Sequence, residues 1–262
     1  MRFALNHIAT PKLSLADFLG LARRLGMPAI EIRNDLPDVV GTMPAGAVRA
    51  AAVASGVDIL SINALYPFNV WSGDVPARAL ALADYAQACG ARALVMCPLN
   101  DGTPVPHGDL VAALRELVPI LRQHGITGLV EPLGFPVSSL RTKREAIEAI
   151  REAGASDVCK LVHDTFHHHL AGEREFFPEY TGLVHISGVR EADLALNDML
   201  DAHRALVDEM DRLNNIGQLR ALATGGYAGA VSIEPFAPSV HDDPDPEAAL
   251  RASFAHVAQG VA

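Results

Sequence analysis

The feature of this sequence that most limits its fold is a short apolar run that recurs eight times. Each run is rich in aliphatic residues, as are strands of a parallel sheet that is covered on both faces. The runs are FALNH (3–7), AIEIRN (29–34), DILSIN (58–63), ALVMCP (93–98), GLVEP (128–132), CKLVHD (159–164), GLVHIS (182–187) and AVSIEP (230–235). Most of them begin about 25 to 35 residues after the previous one, which is the length of one strand–helix unit.

Segments with helical periodicity lie between most of these runs, and the first is typical. Ser14 is a suitable N-cap with Asp17 three residues later, and Gly26 followed by Pro28 ends the segment. The apolar residues in between, which fall on one helix face, are Leu15, Phe18, Leu19, Ala22 and Leu25. The pattern therefore predicts that strands and helices alternate along the chain.

Eight such units in 262 residues predict an α/β fold, a (β/α)8 TIM barrel, with residues 1–262 as a single domain. A doubly wound open sheet is the competing architecture, but no G-x-G-x-x-G motif follows the first strand. The spacing is least regular after the seventh strand. There a charged segment, DAHRALVDEMDRLNN (201–215), is predicted to form an inserted helix.

The charge balance argues against two classes of partner. With 21 Lys and Arg against 31 Asp and Glu, the formal net charge is −10, which disfavours nucleic acid and anionic membranes. No apolar run reaches the ~18 residues of a membrane span, and the first residues show no signal-peptide pattern. Cys89, Cys97 and Cys159 lie in or beside apolar segments, which indicates buried thiols in a reducing, cytoplasmic environment.

Polar and charged side chains mark the carboxyl ends of the predicted strands. They are Asn6, His7, Glu31, Arg33, Asn63, Glu131, Asp164, His185 and Glu234. In a (β/α)8 barrel this rim is where active sites are built. A structural protein has little reason to place charge at the end of nearly every core strand, so the distribution predicts an enzyme.

Four of these residues come one each from strands five to eight, namely Glu131, Asp164, His185 and Glu234. A single carboxylate at a strand end is more often a helix cap or a surface charge. Neighbouring strands are ~4.8 Å apart, however, so four such side chains can converge on one cation. Three carboxylates and one imidazole form a hard, oxygen-rich site that suits Mn²⁺ first, then Co²⁺ or Mg²⁺, with Zn²⁺ a less specific match.

The stretch LVHDTFHHHLAG (161–172) contains four histidines around the strand-six ligand. Because side chains alternate along a strand, His163 should face the helices and have a structural role. His167 follows at the start of the next helix, where it can bend over the cavity as a substrate contact or proton carrier. His168 and His169 are expected to cover the helix surface without binding metal.

At these residues the chain resembles the xylose isomerase-like TIM barrels of sugar isomerases and epimerases, and among them the inosose (2-keto-myo-inositol) isomerases. The resemblance extends almost end to end, over IEIRNDLPDVV (30–40), INALYPFN (62–69), VMCPLNDG (95–102), VEPLGFPVSSLRT (130–142), LVHDTFHHHLAG (161–172), LVHISGV (183–189) and VSIEPFAPSV (231–240). In that family one glutamate, aspartate, histidine and glutamate from strands five to eight bind a divalent cation. They correspond to Glu131, Asp164, His185 and Glu234.

The resemblance also implies a substrate class and a reaction. The histidine three residues beyond the aspartate contacts substrate in related epimerases, and it corresponds to His167. The implied reaction is isomerisation of a small-molecule keto-sugar or cyclitol through an enediolate stabilised by the cation, with Glu131 and Glu234 as acid and base. Barrels of this family often pair, so a homo-oligomer stays open, but the sequence shows no interface signature.

Two loops depart from the inosose isomerases. HISGVRE (185–191) lacks the acidic residues that directly follow the strand-seven histidine in those proteins. DEMDRLNNIGQL (208–219) stands where a Gly-rich turn is more usual. Arg190, in the first of these loops, is a candidate substrate-binding residue.

Other functions stay open at this point. A ketose 3-epimerase or a hydroxypyruvate-type isomerase would use the same ligands with another pocket, and a 3-keto-glycoside lyase would use the same proton abstraction. An apurinic endonuclease shares the fold but needs a multi-zinc, His-rich site and a basic groove. A non-enzymatic sugar-binding barrel would not need the pair of carboxylates.

Overall fold

The strand order closes the sheet on itself. In the computed structural model, which describes residues 1–37 and 39–262, eight parallel strands form a closed barrel in chain order. They are β1 (Arg2–Asn6), β2 (Ala29–Arg33), β3 (Asp58–Leu65), β4 (Ala93–Met96), β5 (Thr127–Val130), β6 (Cys159–Asp164), β7 (Thr181–Ile186) and β8 (Ala230–Ile233). The predicted (β/α)8 TIM barrel is confirmed, and every strand overlaps the apolar run that predicted it.

Helices cover the outside of the barrel. They are α1 (Leu15–Leu25), α2 (Ala45–Ser55), α3 (Val75–Cys89), α4 (His107–His124), α5 (Lys143–Glu152), α6 (Thr165–Ala171), α7 (Asn215–Thr224), α8 (Pro238–His241) and α9 (Pro246–Val261). In α1 the Ser14 hydroxyl accepts a hydrogen bond from the Asp17 backbone N–H at 3.2 Å, and Gly26 ends the helix with a φ of 71°. Over the described part of the chain, no helix combines the length and apolar character needed to cross a membrane.

A small apolar cluster fills the barrel interior. It consists of Ala93, Val95, Leu129, Val162, Leu183 and Ala230. Leu129, Val162 and Leu183 each lie two residues before a predicted metal ligand, and therefore on the same strand face. The polar ends of these strands thus lie directly above apolar side chains inside the barrel. A larger apolar core packs between the strands and the helices.

The helix predicted for residues 201–215 is wrong. A single 3-10 turn spans Asp201–His203, and the chain then follows an irregular path until α7. Ala205 exchanges two backbone hydrogen bonds with Gly188, at 2.7 and 2.8 Å. These bonds occupy the backbone groups that helical bonds would need, and they direct the neighbouring Arg204 side chain into the barrel.

Candidate active site

A cavity of about 470 Å³ lies at the carboxyl ends of the strands. Polar and charged residues from several strands and loops contribute to its wall, including Arg33, Asn63, Glu131, His167, Arg204 and Glu234. The cavity is therefore at the rim where (β/α)8 barrels build their active sites.

The four predicted metal ligands converge beside this cavity, and two of them, Glu131 and Glu234, line it. One ligand atom from each lies within 4.8 Å of the others, and all four side chains, those of Glu131, Asp164, His185 and Glu234, are buried. The Nδ1 atom of His185 lies 3.1 Å from Glu131 Oε1 and 3.2 Å from Glu234 Oε2. Because β5 to β8 are adjacent and parallel, the strand order itself brings these side chains together.

Two buried arginines balance part of the negative charge. Nη2 of Arg204 donates to Asp164 Oδ2 at 2.6 Å and to Glu234 Oε2 at 2.9 Å. Nη1 of Arg33 donates to Glu234 Oε1 at 2.9 Å, and the rest of its guanidinium pairs with Asp35. Hydrogen bonds to ionised partners are stronger than neutral ones, so these contacts hold the ligand carboxylates in place.

The two glutamates of the site differ in how firmly they are held. Besides its two arginine partners, Glu234 Oε1 accepts hydrogen bonds from Asn6 Nδ2 and Asn63 Nδ2, both at 3.1 Å. Burial opposes ionisation of Glu234, but His185 and the two arginines outweigh it and hold the pKa well below its ordinary value. Glu131 is contacted by His185 and, at 3.5 Å, by the Cys97 thiol. Glu131 is therefore the freer carboxylate of the pair.

The imidazole of His185 lies between carboxylates on both sides. Its Nε2 atom is 3.1 and 3.2 Å from the two carboxylate oxygens of Glu31, opposite the ligand side of the ring. Burial opposes a charged imidazole, but the carboxylates of Glu234, Glu31 and Glu131 raise the pKa of His185 well above its ordinary value. A charged imidazole carries one proton on each ring nitrogen. A cation bound at Nδ1 would replace the proton on that atom.

The donor set fits a divalent cation. Three carboxylates and one imidazole nitrogen are hard donors, and they come from four adjacent strands. Part of their negative charge is offset by the guanidinium groups of Arg33 and Arg204. A divalent cation would offset the remaining negative charge of these carboxylates.

Two histidines lie where the sequence predicts them, His163 from the alternation of its strand and His167 from its place at the start of the next helix. His163 is fully buried, and its Nε2 atom is 2.9 Å from the Gln218 side chain on α7, so it faces the helix layer. His167 lines the cavity, where its ring packs edge-on against Phe135 with 5.1 Å between ring centroids. A role of His167 in catalysis or substrate binding stays a prediction.

The expectation that His168 covers the helix surface is wrong, because it is buried. Its Nδ1 atom lies 2.5 Å from the Nζ atom of Lys143, which in turn pairs with Glu173 at 3.0 Å. This buried cation draws the His168 ring inward. His169 is half-buried.

The cysteines differ in one respect from the prediction. Cys89 and Cys159 are buried, whereas Cys97 is half-buried in the cavity wall. Burial, followed by the charges of Glu131 and Glu234, raises the pKa of the Cys97 thiol well above its ordinary value, so it stays protonated.

The arginine that reaches the site is one that sequence analysis did not select. Arg190 does not line the cavity, and it pairs at 2.6 Å with Asp208 on the surface. Its role in substrate binding stays a prediction. The charge pattern around Arg204 predicts a helix and so hides this residue, although the apolar triplet ALV directly after it is a weak sign of an inward path.

Comparison with known proteins assigns a family. The family model described as "Xylose isomerase-like TIM barrel" matches residues 19–259. An inosose isomerase of Halalkalibacterium halodurans is 24% identical over 265 residues, which cover 92% of this chain and 90% of that protein.

Two solved structures are also similar. A xylose isomerase domain-containing protein of Salmonella typhimurium is 38% identical with a TM-score of 0.92, over 99% of this chain and 97% of that chain. The IolI protein, solved with a bound zinc atom, has the same fold at 22% identity with a TM-score of 0.88, over 100% of this chain and 98% of that chain.

Proposed function

The chain belongs to the xylose isomerase-like TIM barrel family, as the resemblance predicts, and on that premise we propose that it is a divalent-metal-dependent isomerase of a keto-inositol or a related keto-sugar. The observation that carries the proposal is the convergence of three carboxylates and one imidazole beside a polar cavity that Glu131 and Glu234 line. The similarity to an inosose isomerase supports the substrate class. That IolI was solved with a bound zinc atom supports metal binding by this chain, with Mn²⁺ the cation that we expect here.

The contacts of the two glutamates suggest how they divide the proton transfers. Isomerisation moves one proton between neighbouring carbons and another between their oxygens. A divalent cation at the site supplies Lewis-acid stabilisation of the charge that develops on the substrate oxygens. Glu131, the freer carboxylate, takes the carbon-bound proton and returns it to the adjacent carbon. Glu234 takes the hydroxyl proton as the new carbonyl forms and returns it to the other oxygen.

Other cavity residues would orient the substrate. His167 is available in the wall for a substrate hydroxyl, since Phe135 fixes the plane of its ring. Arg204 reaches the cavity while bonded to two metal-ligand carboxylates, so it can stabilise charge on a bound oxygen without further rearrangement.

A panel of keto-inositols and ketoses, incubated with the Mn²⁺-loaded protein in deuterated solvent, tests the proposal. We expect exchange of the α-hydrogen in an inosose or a close relative. Glu131→Gln should reduce this exchange by about 10²–10⁴-fold, the usual effect of losing a positioned general base. The exposed Glu148 offers a matched control, because Glu148→Gln makes the same chemical change outside the site. The proposal fails if the loaded protein leaves the α-hydrogen of every compound unexchanged.

A further inference from the structure

Glu31 is a buried carboxylate that takes no part in the proposed proton transfers. We propose that it is a positioning residue, which fixes the tautomer and the orientation of His185 so that Nδ1 faces the cation. The inference rests on the metal site of the proposed function. It does not depend on which keto-sugar is the substrate.

The strand register places a set of donors around Glu31. Its side chain is fully buried and projects from β2 into the barrel. Its direct partners on the two neighbouring strands are Asn6 on β1 and Ser61 on β3. The Ser61 hydroxyl donates to Glu31 Oε2 at 2.6 Å, and Asn6 Nδ2 donates to Oε1 at 3.3 Å. These contacts orient the carboxylate toward His185, which projects from β7 on the far side of β8 and β1.

The contact with His185 determines which ring nitrogen is available to a cation. A neutral imidazole carries one N–H donor and one nitrogen lone pair. With Nε2 at 3.1 and 3.2 Å from the Glu31 oxygens, the proton belongs on Nε2 and the lone pair on Nδ1. Nδ1 is the atom that faces Glu131 and Glu234, at 3.1 and 3.2 Å. The wrong tautomer would direct an N–H group at the cation.

Asn6 connects this pair to the ligand set. Its Nδ2 atom donates to Glu31 Oε1 and also, at 3.1 Å, to Glu234 Oε1. The carboxylate that orients the histidine and the carboxylate that binds the cation are therefore held by one amide. Carboxylates that orient a metal-bound histidine in this way typically contribute about 10–100-fold to metal affinity.

The test measures Zn²⁺ affinity of the full-length protein by competition with a chromophoric chelator. Glu31→Met keeps the size of the side chain but removes the acceptor, and it should weaken Zn²⁺ binding by about 10–100-fold. Glu31→Gln keeps one carbonyl acceptor and should lose less. Ser61→Ala removes a donor to Glu31 but leaves the buried carboxylate in place, so it should weaken Zn²⁺ binding only slightly in a folded protein. If Glu31→Met does not fold, these two variants decide the question.

Two further measurements separate a positioning role from a structural one. Nitrogen-15 NMR of the Zn²⁺-loaded parent should show His185 protonated at Nε2, and that signal should change in Glu31→Gln. Glu173, another largely buried glutamate, pairs with Lys143 away from the site, so Glu173→Gln should alter stability but leave Zn²⁺ affinity unchanged.

Equal Zn²⁺ affinity in the parent and the folded Glu31 variants overturns the inference, and so does a proton on Nδ1 in the loaded parent. A weakened affinity in these variants supports it even if no keto-sugar is turned over. A lack of turnover would refute only the proposed substrate.

Discussion

Replacement of Arg204 by methionine should destabilise the metal-free protein far more than the metal-loaded protein. The Arg204 side chain is 2% exposed and bonds Asp164 Oδ2 at 2.6 Å and Glu234 Oε2 at 2.9 Å. Removing one partner of a buried ion pair costs about 3–5 kcal/mol, because it leaves charge without compensation. In a chain of this size each kcal/mol lowers the melting temperature by about 2–4 °C, so a decrease of about 6–20 °C is expected with a chelator present.

Bound Mn²⁺ would offset the charge of the same carboxylates. Arg204→Met should then lower the melting temperature much less. Circular dichroism melts of the parent and Arg204→Met, in chelator and in excess Mn²⁺, measure both values. Arg190→Met serves as the control, since this half-exposed arginine pairs with Asp208 at the surface and its loss should change stability by less than about 0.5 kcal/mol. If Arg204→Met lowers the melting temperature equally in chelator and in Mn²⁺, the view that the guanidinium and the cation offset the same carboxylates is refuted.

Three further results are expected. His167→Ala should lower turnover while the protein keeps most of its bound metal, as shown by elemental analysis, and His169→Ala should change neither; equal, small effects of both would leave His167 a structural residue. Burial lowers the pKa of Lys143 from 10.5 to about 8, so the folded protein binds fewer protons than the unfolded chain between these values, and the free energy of unfolding should rise with pH across that range. Urea titrations should show that Lys143→Met loses this slope, and an unchanged slope would assign it to other groups. Dialysis against a chelator should abolish α-hydrogen exchange and added Mn²⁺ should restore it, whereas full activity in a sample shown to be metal-free would contradict the site.

The barrel and the convergence of its ligands could be predicted from the sequence, because both follow from local patterns. Eight apolar runs at strand–helix spacing predict a closed parallel barrel, and parallel strands place all their carboxyl ends at one rim. Four consecutive strands carry Glu131, Asp164, His185 and Glu234 within one residue of their carboxyl ends. Their meeting therefore depends on strand order and not on the path of any loop.

What surrounds the ligands was decided by tertiary structure alone. Arg204 bonds partners 30 and 40 residues away, and its local charge pattern predicts a helix that the backbone pairing with Gly188 prevents. Glu31 meets His185 across 154 positions, and Lys143 draws His168 into the interior from 25 positions away. Periodicity reports which face of its own element a side chain occupies. Which distant charge satisfies a buried polar atom depends on how the elements pack, and no local pattern encodes that choice.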